Sequence, residues 1–185
     1  KLVSPTTYQG GKQRIAKNII DIILERNNDL KDRSFYDLCC GSGAITLEIY
    51  NREIPFKNLY MCDISVWGDF WKSIGDGTFL QEIFEIYLKN VPENKNDIKS
   101  YLEKMYKESP YDGVILSEVY RFLLLQAGSF GGKQIWIENN KWKNGSFRSF
   151  WQPTETSNRR SHVNPMMPMP ETLLGRVNNL WNELY

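Results

Sequence analysis

Ile15, Ile19, Ile22 and Ile23 recur at i, i+4, i+7 and i+8, which predicts a helix from about Gln13 to Arg26 with one apolar stripe, closed by Asn27-Asn28. Before it, Ser4–Gly11 carries turn chemistry in Pro5 and Gly10-Gly11. Ser34–Cys39 is a short apolar run that reads as a buried strand. Gly41-Ser42-Gly43 and a helix from Ala44 to Asn51 follow, and Leu59–Cys62 reads as a second strand ending at Asp63. A β-α-β unit of about 30 residues implies parallel pairing. Beyond Asp63 the alternation stops. Val66–Leu88 is rich in aromatic and aliphatic residues and suits short helices broken at Gly75 and Gly77. Val91–Lys99 is polar and predicted as a loop, while Tyr101–Lys107 and Gly113–Gln126 are predicted helical. Ile135–Ile137 and Phe147–Trp151 read as strands around turns at Asn139-Asn140 and Asn144-Gly145. Pro153–Pro170 carries several prolines and is predicted extended or looped. Leu173, Leu174, Val177, Leu180, Trp181 and Leu184 mark a final amphipathic helix that starts at Pro170.

The apolar runs are all short. The longest, Phe122–Ala127, has Gln126 inside it, far from the ~18 residues of a membrane span. Lys1–Gln13 is too polar for a signal peptide. No membrane partner and a cytoplasmic location are therefore expected. Hydrophobic residues at 41% and charged residues at 24% of 185 exclude wholesale disorder and fibrous classes, and leave room for one domain with an elaborate insertion. Cys39, Cys40 and Cys62 form no Cys-x-x-Cys pair. They are expected to be small buried thiols in a reducing compartment, with no metal site.

The net charge of +1 conceals an asymmetry. Between Val119 and His162, Arg121, Lys133, Lys141, Lys143, Arg148, Arg159 and Arg160 face only Glu138 and Glu155, a local +5 that leaves about −4 elsewhere. Aromatic residues are interleaved with these cations, a pattern that suits a nucleic-acid backbone and its base faces, or an ordinary solvated loop.

Two glycine-containing turns carry candidate chemistry. Asp37–Gly43 leaves a strand and opens a helix, so backbone can pass close to a ligand and helix N–H groups can face it. Asp63 follows the second strand about 20 residues later, where a carboxylate can accept ribose hydroxyls. The three glycines of a dinucleotide fingerprint are absent, which favours an adenosyl cofactor over nicotinamide or flavin; a plain tight turn with a surface Asp is the structural alternative. Tyr8-Gln9-Gly10-Gly11-Lys12 is not a phosphate-binding P-loop, since Thr6 and Gln13 stand where Gly and Ser or Thr are needed.

Taken together, these motifs resemble the Dam-type (D12 class) adenine-specific DNA methyltransferases. Tyr8–Lys12 is similar to the family's N-terminal aromatic-x-Gly-Gly-Lys motif. Asp37–Gly43 resembles its Asp-x-Phe-x-Gly-x-Gly loop, with Cys39 in place of Phe, and Asp63 matches the acidic ribose position. The resemblance implies S-adenosylmethionine as cofactor, held by Tyr8, Gly10, Gly11, Lys12, Asp37, Cys39, Gly41, Ser42, Gly43 and Asp63. It also implies double-stranded DNA as partner, contacted by Lys133, Lys141, Lys143, Arg148, Arg159 and Arg160, with Gly128–Gly132 similar to the family's hairpin segment. The implied fold is α/β, a partial Rossmann-like sheet with a mainly helical target-recognition insertion containing a β-hairpin. Residues 1–65 would form the cofactor part, 66–169 the recognition region, and 170–185 a helix returning to the α/β part. The Pro- and Met-rich stretch before Pro170 resembles a phage-like branch of the modification enzymes.

The family's catalytic Asp-Pro-Pro-Tyr motif is not found. Asn164-Pro165 and Ser109-Pro110-Tyr111 share only fragments of it, and no catalytic set forms around His162. Catalytic residues therefore remain unassigned. The acceptor-activating residues are expected from a second polypeptide or a C-terminal segment missing from this sequence. The alternative expectation is a non-catalytic module that binds S-adenosylmethionine or DNA.

Overall fold

A computed structural model describes residues 1–94, 97–147, 168 and 170–185. The first helix, α1 (Ala16–Arg26), packs on α2 (Ala44–Asn51), and strands β1 (Ser34–Asp37) and β2 (Asn58–Met61) pair in parallel, Ser34 opposite Asn58 and Asp37 opposite Met61. The β-α-β reading of the sequence therefore holds. The sheet has only these two strands among the described residues, so the structure is a mixed helix and strand fold with small sheets and does not by itself establish a Rossmann-like sheet.

The apolar stripe assigned to α1 is rotated. Ala16 and Ile20 are buried, whereas Ile15 and Ile22 are exposed. The physical reason is the single-sided contact: α1 meets α2 through one narrow face, which leaves Ile19 and Ile23 half-buried at its border and Ile15 and Ile22 outside it. The sheet is similarly bare. Tyr36 and Tyr60, stacked at 4.7 Å, are 59% and 44% exposed, although parallel sheets are ordinarily covered on both faces.

The main core lies in the helical part. Helices α3 (Val66–Gly75), α4 (Gln81–Lys89), α5 (Ile98–Lys107), α6 (Ser117–Gly128) and α7 (Pro170–Leu184) surround Trp67, Phe70, Phe79, Phe84, Tyr120 and Phe122, all fully buried and packed edge-to-face in several pairs. Such ring pairs contribute about 0.5–1.5 kcal/mol each beyond area burial. The α3/α4 break falls at Asp76–Leu80, where Gly77 takes a positive φ. The Tyr120 hydroxyl accepts the Leu80 N–H at 3.0 Å, satisfying a donor at the start of α4. Helix α5 begins at Ile98, inside the stretch read as a loop, because Ile98 and Leu102 are drawn into this core. Leu173, Val177 and Leu180 bury one face of α7 against α3 and α4 as the periodicity requires. The helix reaches the first 65 residues through Tyr50, which donates to Glu183 at 2.9 Å, and through Arg176, which donates to the Pro5 carbonyl at 3.1 Å.

A 3-10 turn (Phe130–Gly132) leads from α6 into an antiparallel hairpin of β3 (Trp136–Glu138) and β4 (Lys141–Lys143). Asn139 and Asn140 both have positive φ, the two-residue turn that matches strand twist. The sequence assigned the turn at Asn139-Asn140 but no strand to Lys141–Lys143. A two-residue turn at Asn139-Asn140 makes Lys141–Lys143 the partner, and of the run beginning at Phe147 the structure describes only Phe147, which bridges to Ser129. Residues 148–151 and the Pro-rich stretch to 167 lie outside the described residues.

Candidate functional site

The parallel pairing continues past the strands, with the Cys62 N–H donating to Asp37 O (2.8 Å) and the Cys40 N–H to Cys62 O (2.9 Å). This brings Asp63 against the Gly41 turn. Its Oδ2 accepts the Gly41 N–H at 2.8 Å, and its Oδ1 accepts both the N–H (2.9 Å) and the hydroxyl (2.6 Å) of Ser65. A carboxylate offers about four acceptor positions; three are filled by the protein, and the remaining one is on Oδ2.

Gly41 and Gly43 both adopt positive φ, at +50° and +79°, where a side chain is strained. The space is also taken. A Cβ at Gly41 would stand 2.9 Å from Tyr8 Cε1, and one at Gly43 would stand 2.5 Å from Trp71 Cζ2. The Tyr8 ring thus lies against the Gly41 turn, while Trp71 donates from Nε1 to the Gly41 carbonyl at 2.8 Å. Trp67 meets Tyr8 edge-on at 6.0 Å. Neither tryptophan was singled out from sequence as part of the site. The available signal was their position four and eight residues after Asp63, at helical spacing that turns both toward the residues the acid anchors.

Asp37 faces inward. Its Oδ2 accepts the Thr46 hydroxyl at 3.0 Å and its carboxylate also takes the Thr46 N–H. Gly43, the N-cap of α2, has no side chain to cap with, so Asp37 supplies the cap from the preceding strand. Burial raises its pKa above the ordinary carboxylate value despite the Thr46 hydrogen bonds. Tyr8 is likewise pushed up, chiefly by burial and then by the Asp63 charge.

Ten residues were expected around the cofactor. The structure brings Tyr8 and Gly11 against the Gly41-Ser42 turn, with Asp63 beside it. Ser42 is buried, and Lys12 folds back so that its ammonium donates to the Gly10 carbonyl. Exposed around the carboxyl ends of the strands are Leu38, Cys39, Cys62 and Ile64, the last with no cover at all. The cysteine expectation is corrected here. Only Cys40 is buried, its thiol pushed up to about 12 by burial first and by Asp37 and Asp63 next, because Cys39 and Cys62 fall where the chain leaves the sheet edge.

On the hairpin, Lys133 and Lys141 are exposed and Lys143 is half-buried, 3.9 Å from Glu138. Arg121, counted with the basic stretch, is neutralised inside the helical bundle by Glu108 and Asp112, both at 3.1 Å. Arg148, Arg159, Arg160 and His162 lie outside the described residues, as does Asn164-Pro165. Ser109-Pro110-Tyr111 forms part of the α5–α6 connection, where Arg121 donates to the Ser109 carbonyl and Ser117 to the Pro110 carbonyl. Among the described residues no group of three or more His, Cys, Asp or Glu side chains is placed to hold a metal, and no helix is long and apolar enough to cross a membrane.

The donor set fits an adenosyl cofactor. It combines an aromatic ring over a glycine turn, a carboxylate at the adjacent strand end with one open acceptor position, and uncovered apolar side chains at Leu38 and Ile64 flanking it. No individual curated protein matches the sequence. The family model for D12 class N6 adenine-specific DNA methyltransferases matches residues 8–161, from the Tyr8 ring through the hairpin. On that match, which spans most of its length, the chain belongs to the D12 class N6 adenine-specific DNA methyltransferase family.

Proposed function

We propose that this chain binds S-adenosylmethionine at the junction of Tyr8–Lys12, Asp37–Gly43 and Asp63, and presents double-stranded DNA to it for methylation at adenine N6. The observation that supports the reading most is the contact of two motifs about 30 residues apart, Tyr8 against Gly41, with Asp63 locking the same turn. When bound, the cofactor supplies an electrophilic methyl group. The protein's share is orientation. Asp63, through the open acceptor position on Oδ2, takes the ribose hydroxyls, the exposed Ile64 and Leu38 cover an aromatic base, and the Asp37–Gly43 turn holds the amino-acid end with Tyr8 and Lys12 beside it. Lys133, Lys141, Lys143, Arg148, Arg159 and Arg160 neutralise phosphates. Binding of S-adenosylhomocysteine, measured calorimetrically, tests the cofactor site: Asp63→Ala is expected to weaken it at least tenfold, and unchanged affinity overturns the assignment.

Acceptor activation is placed on a segment that adds to the parallel sheet, supplied by another polypeptide or by further chain. In support, the parallel sheet has only two strands among the described residues, so each strand has an edge with no described strand beside it. Bare parallel edges are templates for another strand. Full methylation by these 185 residues alone would refute this placement, whereas cofactor binding with no methylation under any complementation would favour a non-catalytic binding module.

A further inference from the structure

Gln126 is the one polar residue in the run Phe122–Ala127, and its side chain is fully buried on α6. A buried amide is costly unless its hydrogen bonds are made. Here they are made to two different parts of the molecule. Nε2 donates toward Thr7 O (3.4 Å), Gly132 O (3.3 Å) and Lys133 O (3.2 Å), while Oε1 accepts the Ile135 N–H at 3.2 Å. Thr7 immediately precedes Tyr8, and Gly132–Ile135 is the segment that enters the hairpin.

The same junction is reinforced around the amide. The Gln9 N–H donates to Gly132 O at 2.6 Å, and the Tyr8 hydroxyl donates to Gln134 Oε1 at 3.4 Å. Asn144 Nδ2 in turn donates to Gln134 O at 2.7 Å, which carries the connection to the end of β4. Gly132 has φ +69°, and a Cβ there would lie 3.5 Å from the backbone nitrogens of both Tyr8 and Gln9. The loop holding the candidate cofactor residues and the base of the lysine-bearing hairpin are therefore fastened to each other, with Gln126 at the centre.

We infer that Gln126 is a positioning residue that makes cofactor binding and DNA binding mutually dependent. The inference rests on the proposed function above, because it assigns the two ligands to the two ends of this junction. An element tied to both sites has to transmit a bias reciprocally: whatever factor DNA adds to cofactor affinity, cofactor adds to DNA affinity. Gln126→Leu keeps the bulk of the side chain but removes every bond to Thr7, Gly132, Lys133 and Ile135, freeing the loop from the hairpin.

The test measures S-adenosylhomocysteine affinity with and without a saturating mixed-sequence 20-base-pair duplex, and duplex affinity with and without saturating S-adenosylhomocysteine. In the unsubstituted protein both ratios are expected to agree and to exceed about fivefold, the lower end of ordinary coupling. Gln126→Leu is expected to bring both close to one. Leu88→Ala, in α4, serves as the stability control: it should lower the melting temperature and leave the ratios intact, whereas a merely structural role for Gln126 would have the ratios fall in both variants. Gln134→Ala, outside the core, should lose part of the ratio and decides the matter if Gln126→Leu does not fold. Coupling absent from the unsubstituted protein, or unchanged in Gln126→Leu or, failing that, Gln134→Ala, overturns the inference. Failure of the unsubstituted protein to bind either ligand refutes the proposed function instead.

Discussion

Gly43→Ala is expected to be among the most damaging single-methyl additions to the protein. Two costs combine. The residue has φ +79°, and placing an ordinary L side chain in that region costs about 1–2 kcal/mol. The new methyl would also stand 2.5 Å from Trp71 Cζ2 and 2.9 Å from Met61 Cε, and overpacking of this kind costs about 1–3 kcal/mol. Together they amount to about 2–5 kcal/mol. For a chain of this size each kcal/mol lowers the melting temperature by about 2–4 °C, so a drop of about 4–20 °C follows. The internal control is Gly75→Ala at the end of α3, where nothing lies within 4 Å of an added Cβ; it should be neutral or gain up to about 1 kcal/mol. Trp71 also holds the Gly41 carbonyl, so Gly43→Ala should weaken S-adenosylhomocysteine binding by more than its stability loss alone explains. Thermal denaturation by circular dichroism reads the first effect and calorimetry the second. Melting temperatures of the two alanine variants within about 2 °C of each other would refute the steric reasoning.

Further outcomes follow from groups around the site and within the bundle. Burial raises the Asp37 pKa in the folded protein, so the native state holds the proton more tightly than the unfolded chain; stability contributed here is present at low pH and is lost as pH rises through the folded value. Asp37→Asn, which keeps an acceptor for Thr46, should remove that decline, and identical pH-stability profiles for the two proteins would contradict it. Arg121→Met leaves Glu108 and Asp112 without their guanidinium and should cost about 1.5–3 kcal/mol in urea denaturation without altering the salt dependence of DNA binding. Lys141→Ala should do the reverse, flattening the log–log salt slope by about 1 with little stability change. Iodoacetamide at pH 8 should label Cys39 and Cys62 in the native protein and spare Cys40, whose thiol is buried and protonated; peptide mass mapping reads the result.

The legible parts of this fold were those in which local spacing and tertiary contact agree. Helix α2 occupies Ala44–Asn51 as read, and of the residues periodicity marked on α7, Leu173, Val177 and Leu180 are buried while Leu174, Trp181 and Leu184 pack half-buried at the border of that face. The misread parts are those in which a partner decides. In α1 the isoleucine stripe was visible, but which of its positions are buried depends on the narrow face that meets α2. In the hairpin, the turn at Asn139-Asn140 was readable, but Lys141–Lys143, two cations around one tryptophan, becomes a strand only because the paired positive φ angles place it opposite Trp136–Glu138. Charge was misleading at Arg121, since composition counts a cation whether or not carboxylates enclose it.

The candidate site shows the same division. Glycine spacing and an acid at the next strand end are local properties, and both were readable. The side chains that hold them together are not, because Trp71 and Tyr8 act on Gly41 from 30 residues downstream and 33 upstream. Asp37 illustrates the consequence. Its position in the motif marks it as a ligand contact, yet its carboxylate is engaged by Thr46 at the start of α2, so its first effect is to aim the helix whose N-terminus the Gly43 turn presents. A motif residue can thus serve the ligand by fixing the backbone that meets it. In such a site a conservative substitution that keeps the hydrogen bond, Asp37→Asn, should preserve binding that Asp63→Ala weakens at least tenfold, and this contrast separates the residue that only aims α2 from the one that ties the Gly41 turn and keeps an acceptor position open beside it.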